Sequence, residues 1–141
     1  MKKFSEIEYV RPDMEVEKEK VRAYTEALKN VKSYEELRGL FMEEKEREDV
    51  WATMAEVAQV RYTVDTRDSF YEGEAQFWNE TVPGIRLLMQ KAEKVILESP
   101  FIKEFAEEFG DFFVKNMEVG QKLADDCSVE DLIEEANLTQ Q

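Results

Sequence analysis

Apolar residues along this chain recur at spacings of three and four rather than two, in blocks divided by short polar turns, which is the signature of helices packed in layers. After a lead ending at Pro12, Asp13 is placed to cap a first helix with the apolar line Val21, Tyr24, Leu28, Val31, expected to stop near Lys32. Ser33-Tyr34-Glu35-Glu36 has the form of a capping box, in which the Ser and Glu side chains reciprocally bond the free amides that open a helix. The second helix is expected to be long. Its stripe runs Tyr34, Leu37, Phe41, crosses the charged run EEKERED at 43–49, and resumes with Trp51, Met54, Ala55, Ala58 and Tyr62.

Asp65, Thr66 and Asp68 supply turn and capping groups, and helical spacing returns as Phe70, Phe77, Thr81, Ile85, Leu88, Ala92 and Val95, a third long helix reaching Glu98. Pro83 within it lacks an amide donor and crowds the carbonyl four residues back, which predicts a kink or a break into two helices. Ser99-Pro100 predicts a restart, Gly110 a stop, and Phe112, Phe113, Met117 and Ala124 a fifth helix over 111–125. Ser128 opens one more, still amphipathic at Gln141, so the 141 residues are expected to be a piece of a longer protein. The fold class is therefore all-α, an antiparallel bundle of about five to six helices with long second and third members, in one domain over 1–141.

Composition narrows the function. With 19 basic and 33 acidic residues the net charge is −14, which disfavours nucleic acid and anionic membrane as partners. No apolar run is long enough to span a membrane, and Glu6 and Glu8 interrupt any secretory core, so a cytoplasmic location is expected. The single cysteine, Cys127, has acidic neighbours Asp125, Asp126 and Glu130 that disfavour its thiolate. There is no histidine, which removes histidine-based zinc sites and Ser-His or Cys-His dyads from this chain. Glu44 and Glu48, one turn apart on the apolar line of the second helix, leave open a carboxylate-only dimetal bundle, but the usual Glu-x-x-His partner is missing and a run with five acids in seven residues ordinarily faces solvent.

The stretch 61–80, RYTVDTRDSFYEGEAQFWNE, mixes aromatics with charges at a helix-to-helix connection. Tyr62, Phe70, Phe77 and Trp78 read first as core aromatics, and Arg61 and Arg67 beside Asp65 and Asp68 as corner ion pairs. The competing reading is that Tyr62, Tyr71 and neighbouring acids line a groove for an extended peptide.

Three stretches in this order, KKFSEIEYVRPDM at 2–14, RYTVDTRDSFYEGEAQFWNE at 61–80 and the terminal ANLTQQ, resemble the start of the oligoendopeptidase F group of thimet-oligopeptidase-like metallopeptidases. That family comprises mainly helical zinc endopeptidases that cut short peptides in a deep channel, using a His-Glu-x-x-His helix and a downstream Glu. None of those motifs lies in this chain, so the resemblance carries over no catalytic residue, metal ligand or cofactor. It implies an amino-terminal, non-catalytic channel-wall domain of a cytoplasmic enzyme, with zinc in the parent, the absent catalytic domain as partner and oligopeptides as the parent's substrate. Arg61, Tyr62, Asp65, Thr66, Phe70 and Tyr71 are the positions it nominates for contact with peptide or with the absent half. A bare apolar face, free to pair with a second copy, is the expected consequence of severance. The rival readings are a free-standing helical module that binds a partner helix or peptide, and the dimetal bundle.

Overall fold

The computed structural model describes residues 6–126. Within them the order is α1 (Met14–Lys29), α2 (Tyr34–Val64), α3 (Ser69–Leu97), α4 (Ile102–Phe109) and α5 (Asp111–Asp126), an all-α bundle with no strand among the described residues. The helix predicted from Ser128, the terminal ANLTQQ and Cys127 lie outside the described residues.

The helix starts follow their caps. Asp13 accepts the Val16 amide at 3.3 Å, and Asp68 accepts those of Phe70 and Tyr71 at 3.0 and 3.4 Å, satisfying donors that a helix terminus leaves free. At Ser33 the box is offset: the Ser hydroxyl accepts the Glu36 amide at 3.2 Å, but the Glu36 carboxylate takes the Lys32 amide at 2.8 Å instead of that of Ser33. The first helix ends at Lys29, three residues early, because Asn30 leaves helical geometry and bonds back to Ala27. Ser99-Pro100 does not open α4 directly. The Ser99 hydroxyl accepts the Phe101 amide at 3.1 Å in a turn, and the helix begins at Ile102. Gly110 ends α4 with φ 98°, a conformation that a side chain strains.

The predicted break at Pro83 does not occur; α3 runs unbroken from Ser69 to Leu97. Pro83 offers no amide to the Asn79 carbonyl, and packing of Trp78 and Ile85 on either side carries the helix across the gap. Gln59 fastens α2 to this stretch, donating to the Ala75 carbonyl and to Asn79 Oδ1 at 3.2 and 3.0 Å.

Two apolar clusters result. One joins Tyr24, Leu28, Leu37, Ala92, Ile96, Phe105, Val114 and Met117, with Phe41 edge-on to Phe105, Phe109 and Phe113. The other gathers Met14, Ala58, Trp78 and Ile85. The charged waist of α2, expected from its composition to face solvent, is partly buried instead: Glu44 is 2% exposed, and Arg47 and Glu48 are half-buried. Conversely Phe70 and Phe112, expected in the core, are exposed at 57% and 79%.

Candidate functional site

The α2–α3 corner is clasped by the leader. Residues 7–11 run back across it, bringing together two of the stretches that carried the resemblance, 2–14 and 61–80. Tyr9 stands edge-on to Phe70 and Tyr71, with ring centroids 6.1 and 5.7 Å away. Its hydroxyl accepts the Trp78 indole N–H at 3.0 Å and donates to Glu74 Oε1 at 3.0 Å. Arg11 grips the same carboxylate with both Nε, at 3.1 Å, and Nη2, while its guanidinium lies 3.9 Å from the Phe77 ring centroid. Glu74 is thus buried yet satisfied, and the Arg11 guanidinium, helped by the Tyr9 hydroxyl, holds its carboxyl below the usual carboxylate range. Burial pushes the Tyr9 phenol up.

Of the six nominated residues the structure gathers three. Arg61 Nη1 donates to the Tyr71 hydroxyl at 2.7 Å and Nη2 to the Ile7 carbonyl, and Phe70 packs edge-on to Tyr71 at 4.9 Å. Arg61 is therefore a brace between leader and corner as well as a neighbour of the Asp65 turn. Asp65 and Thr66 lie exposed in that turn, where Asp65 accepts from the Arg67 amide and Nε at 3.1 and 3.3 Å. Tyr62 is half-buried on α2. The sequence reading missed Tyr9, Arg11 and Glu74. Their signal was present: Glu74 falls at helical spacing among Phe70, Tyr71, Phe77 and Trp78, an acid inside an aromatic face.

Beside the corner, Ala55, Glu56, Gln59, Val60, Trp78, Asn79, Val82 and Pro83 line an open groove of about 580 Å³. Val60 in its wall is 41% exposed, and Val64, one turn further along α2, is 82% exposed.

The second buried acid group lies in the waist. Glu44, Glu48 and Glu93 line a cavity of about 150 Å³ with Tyr24, Phe41 and Phe113. Arg47 pairs with Glu44 Oε2, but Oε1 meets no donor among the described residues. Burial raises all three carboxyls, and Glu48, facing Glu44 and Glu93 as well, is pushed up to about 7. Among the described residues no three acids or cysteines come together as a metal-ligating group. With no histidine in the sequence, a histidine-ligated zinc site cannot form from this chain's residues.

The bundle is a helical fold shared with part of larger peptidase chains. The chain belongs to the Peptidase M3 N-terminal domain family, whose model matches residues 4–124. It is similar to a solved oligoendopeptidase F, at 27% identity and TM-score 0.82, covering 86% of this chain and 22% of that one. An oligoendopeptidase F from Bacillus anthracis str. Ames is 28% identical with TM-score 0.72, over 86% of this chain and 25% of that chain. PZ peptidase A, solved with an inhibitor, shares the fold at 24% identity and TM-score 0.73, over 88% of this chain and 25% of that one. The chain thus spans about a quarter of the length of the peptidase chains it matches. No curated protein matches it. No helix among the described residues is long and apolar enough to cross a membrane.

Proposed function

We propose that this chain is the channel-wall domain of a cytoplasmic zinc-dependent oligoendopeptidase, inactive alone, which packs against the catalytic part of the same protein and limits which oligopeptides reach it. The observation that carries this reading is the family match over residues 4–124 in a chain without histidine. Zinc belongs, on this reading, to the remainder of the parent. The groove beside Val60 and Pro83, continued along α2 by exposed Val64, is the surface offered to that remainder. Arg61 and Tyr71 act by holding the corner in shape, whereas exposed Asp65 and Thr66 are free to meet a peptide or the other half.

The test mixes this chain with the separately purified remainder of its protein and follows cleavage of an internally quenched oligopeptide in the presence of zinc. The chain alone gives no cleavage, and its addition restores the remainder's activity. Val60→Glu with Val64→Glu places two charges on the apolar surface and weakens association by about tenfold or more. Association indifferent to those charges would move the contact elsewhere. The groove also favours a second reading, a free-standing helical module that holds a peptide there. That module would bind oligopeptides saturably with no remainder present.

A further inference from the structure

We propose that the waist cavity lined by Tyr24, Phe41, Glu44, Glu48, Glu93 and Phe113 is a binding site for a guanidinium-type organic cation. The corner shows what this fold does with a buried carboxylate that has a donor for each oxygen: Arg11 and Tyr9 take both oxygens of Glu74. Glu44 is as deeply buried, its side chain 2% exposed, and it lines the cavity, yet its Oε1 has no donor among the described residues. A buried acceptor of this kind is costly unless something donates to it.

The chemistry of the walls selects the donor. The acids come from two helices, Glu44 and Glu48 from α2 and Glu93 from α3, and do not converge on one point as metal ligands would. A guanidinium spreads one charge over a plane of five N–H donors, is weakly hydrated, and stacks on aromatic rings. The rings already attract a cation: Lys45 holds its Nζ 5.9 Å from the Phe41 centroid and 5.8 Å from that of Phe113. Lys45 is exposed and forms no ion pair with the three acids within the described residues, so it perches over the rings without meeting Glu44 Oε1. A cavity of about 150 Å³ is of the size that admits benzene in other proteins, enough for a guanidinium with a short alkyl stem.

The surrounding charges couple binding to protons. Glu48 faces Tyr24 from α1, Glu44, Lys45 and Asp49 from its own helix and Glu93 from α3, while α5 contributes Phe113 and Met117. Glu44 also faces Glu17 of α1 and its helical neighbours Glu43 and Arg47. A carboxyl that titrates at about 7 is largely protonated below that pH, and an entering cation expels the proton.

Isothermal titration calorimetry of the 141-residue chain, at about pH 6.5 in two buffers of different ionisation enthalpy, tests this with two probes, ethylguanidinium and a blocked arginine amide. Saturable binding of one cation per chain, with heat that depends on the buffer, is expected. Blocked arginine binding alongside ethylguanidinium assigns the site to an arginine side chain, and ethylguanidinium binding alone assigns it to a free small cation. Glu48→Gln, a neutral isostere of the protonated acid, reduces the buffer dependence, and Glu44→Gln weakens affinity by about tenfold. Glu46→Gln, on the exposed side of the same helix, changes neither. A saturable rise in the melting temperature of the unsubstituted chain with ethylguanidinium is a second readout that needs no variant. No saturable binding of either probe, or heats equal in the Glu44 and Glu48 variants and the unsubstituted chain, would overturn the proposal.

Discussion

Glu74 and Glu44 are both buried acids on helices of one bundle, and they are held in opposite ways. Glu74 receives Arg11 and Tyr9 on its two oxygens, and its carboxyl is driven down by that company. Among the described residues Glu44 receives Arg47 on one oxygen only, and it shares a cavity with Glu48 and Glu93, so burial and mutual repulsion drive the carboxyls up. The first region is a completed clasp whose charge favours the fold. The second holds surplus negative charge inside the bundle, which opposes the fold as pH rises. Depth of burial alone does not say whether an acid stabilises; the donors at each oxygen decide it.

The comparison breaks most severely at Glu74. Glu74→Ala strips Arg11 and the Tyr9 hydroxyl of their acceptor in a buried place, and should cost about 3 kcal/mol, at the low end for buried pairs because Arg11 is half exposed. Thermal unfolding should then fall by roughly 10 °C.

The waist should respond to pH instead. A raised carboxyl contributes stability that is fully present below its unfolded value and is lost as pH rises through the folded value, here between about 4.5 and about 7 for Glu48. Denaturant unfolding should therefore show the chain weakening from pH 5 to pH 8. Glu48→Gln should remove part of that slope and gain about 2 kcal/mol at pH 8, a value reduced for partial solvent screening. Glu74 has the opposite sign: its depressed carboxyl contributes stability above its unfolded value that is lost as pH falls through the folded one. The smallest effect is expected from Tyr71→Phe, which deletes the 2.7 Å acceptor of Arg61 at the half-buried corner. A loss of about 1 kcal/mol, with peptide or domain contacts otherwise intact, would mark the pair as a brace.

Much of the fold was legible because its signals are local. Asp13, Ser33 and Asp68 sit where caps belong, Gly110 where a helix must stop, and the long second and third helices follow from their apolar spacing. What could not be read depends on partners distant in sequence. The direction in which the waist of α2 turns Glu44 depends on α1, α3 and α5 packing around it. The clasp joins Tyr9 and Arg11 to Glu74 and Trp78, more than sixty residues away, and no periodicity reports such a pairing. Phe70 and Phe112 fit the helical stripes yet face out, since spacing assigns a face without saying what covers it. The nominated Arg61, Phe70 and Tyr71 do meet, as parts of the corner, while Asp65 and Thr66 stand apart in the turn.

The most direct test of the central reading is zinc-dependent cleavage of an internally quenched oligopeptide, measured for this chain alone and again with the remainder of its own protein. The account predicts no cleavage by the chain alone and cleavage once the two are combined. Zinc-dependent cleavage that follows the isolated chain through every purification step would contradict it.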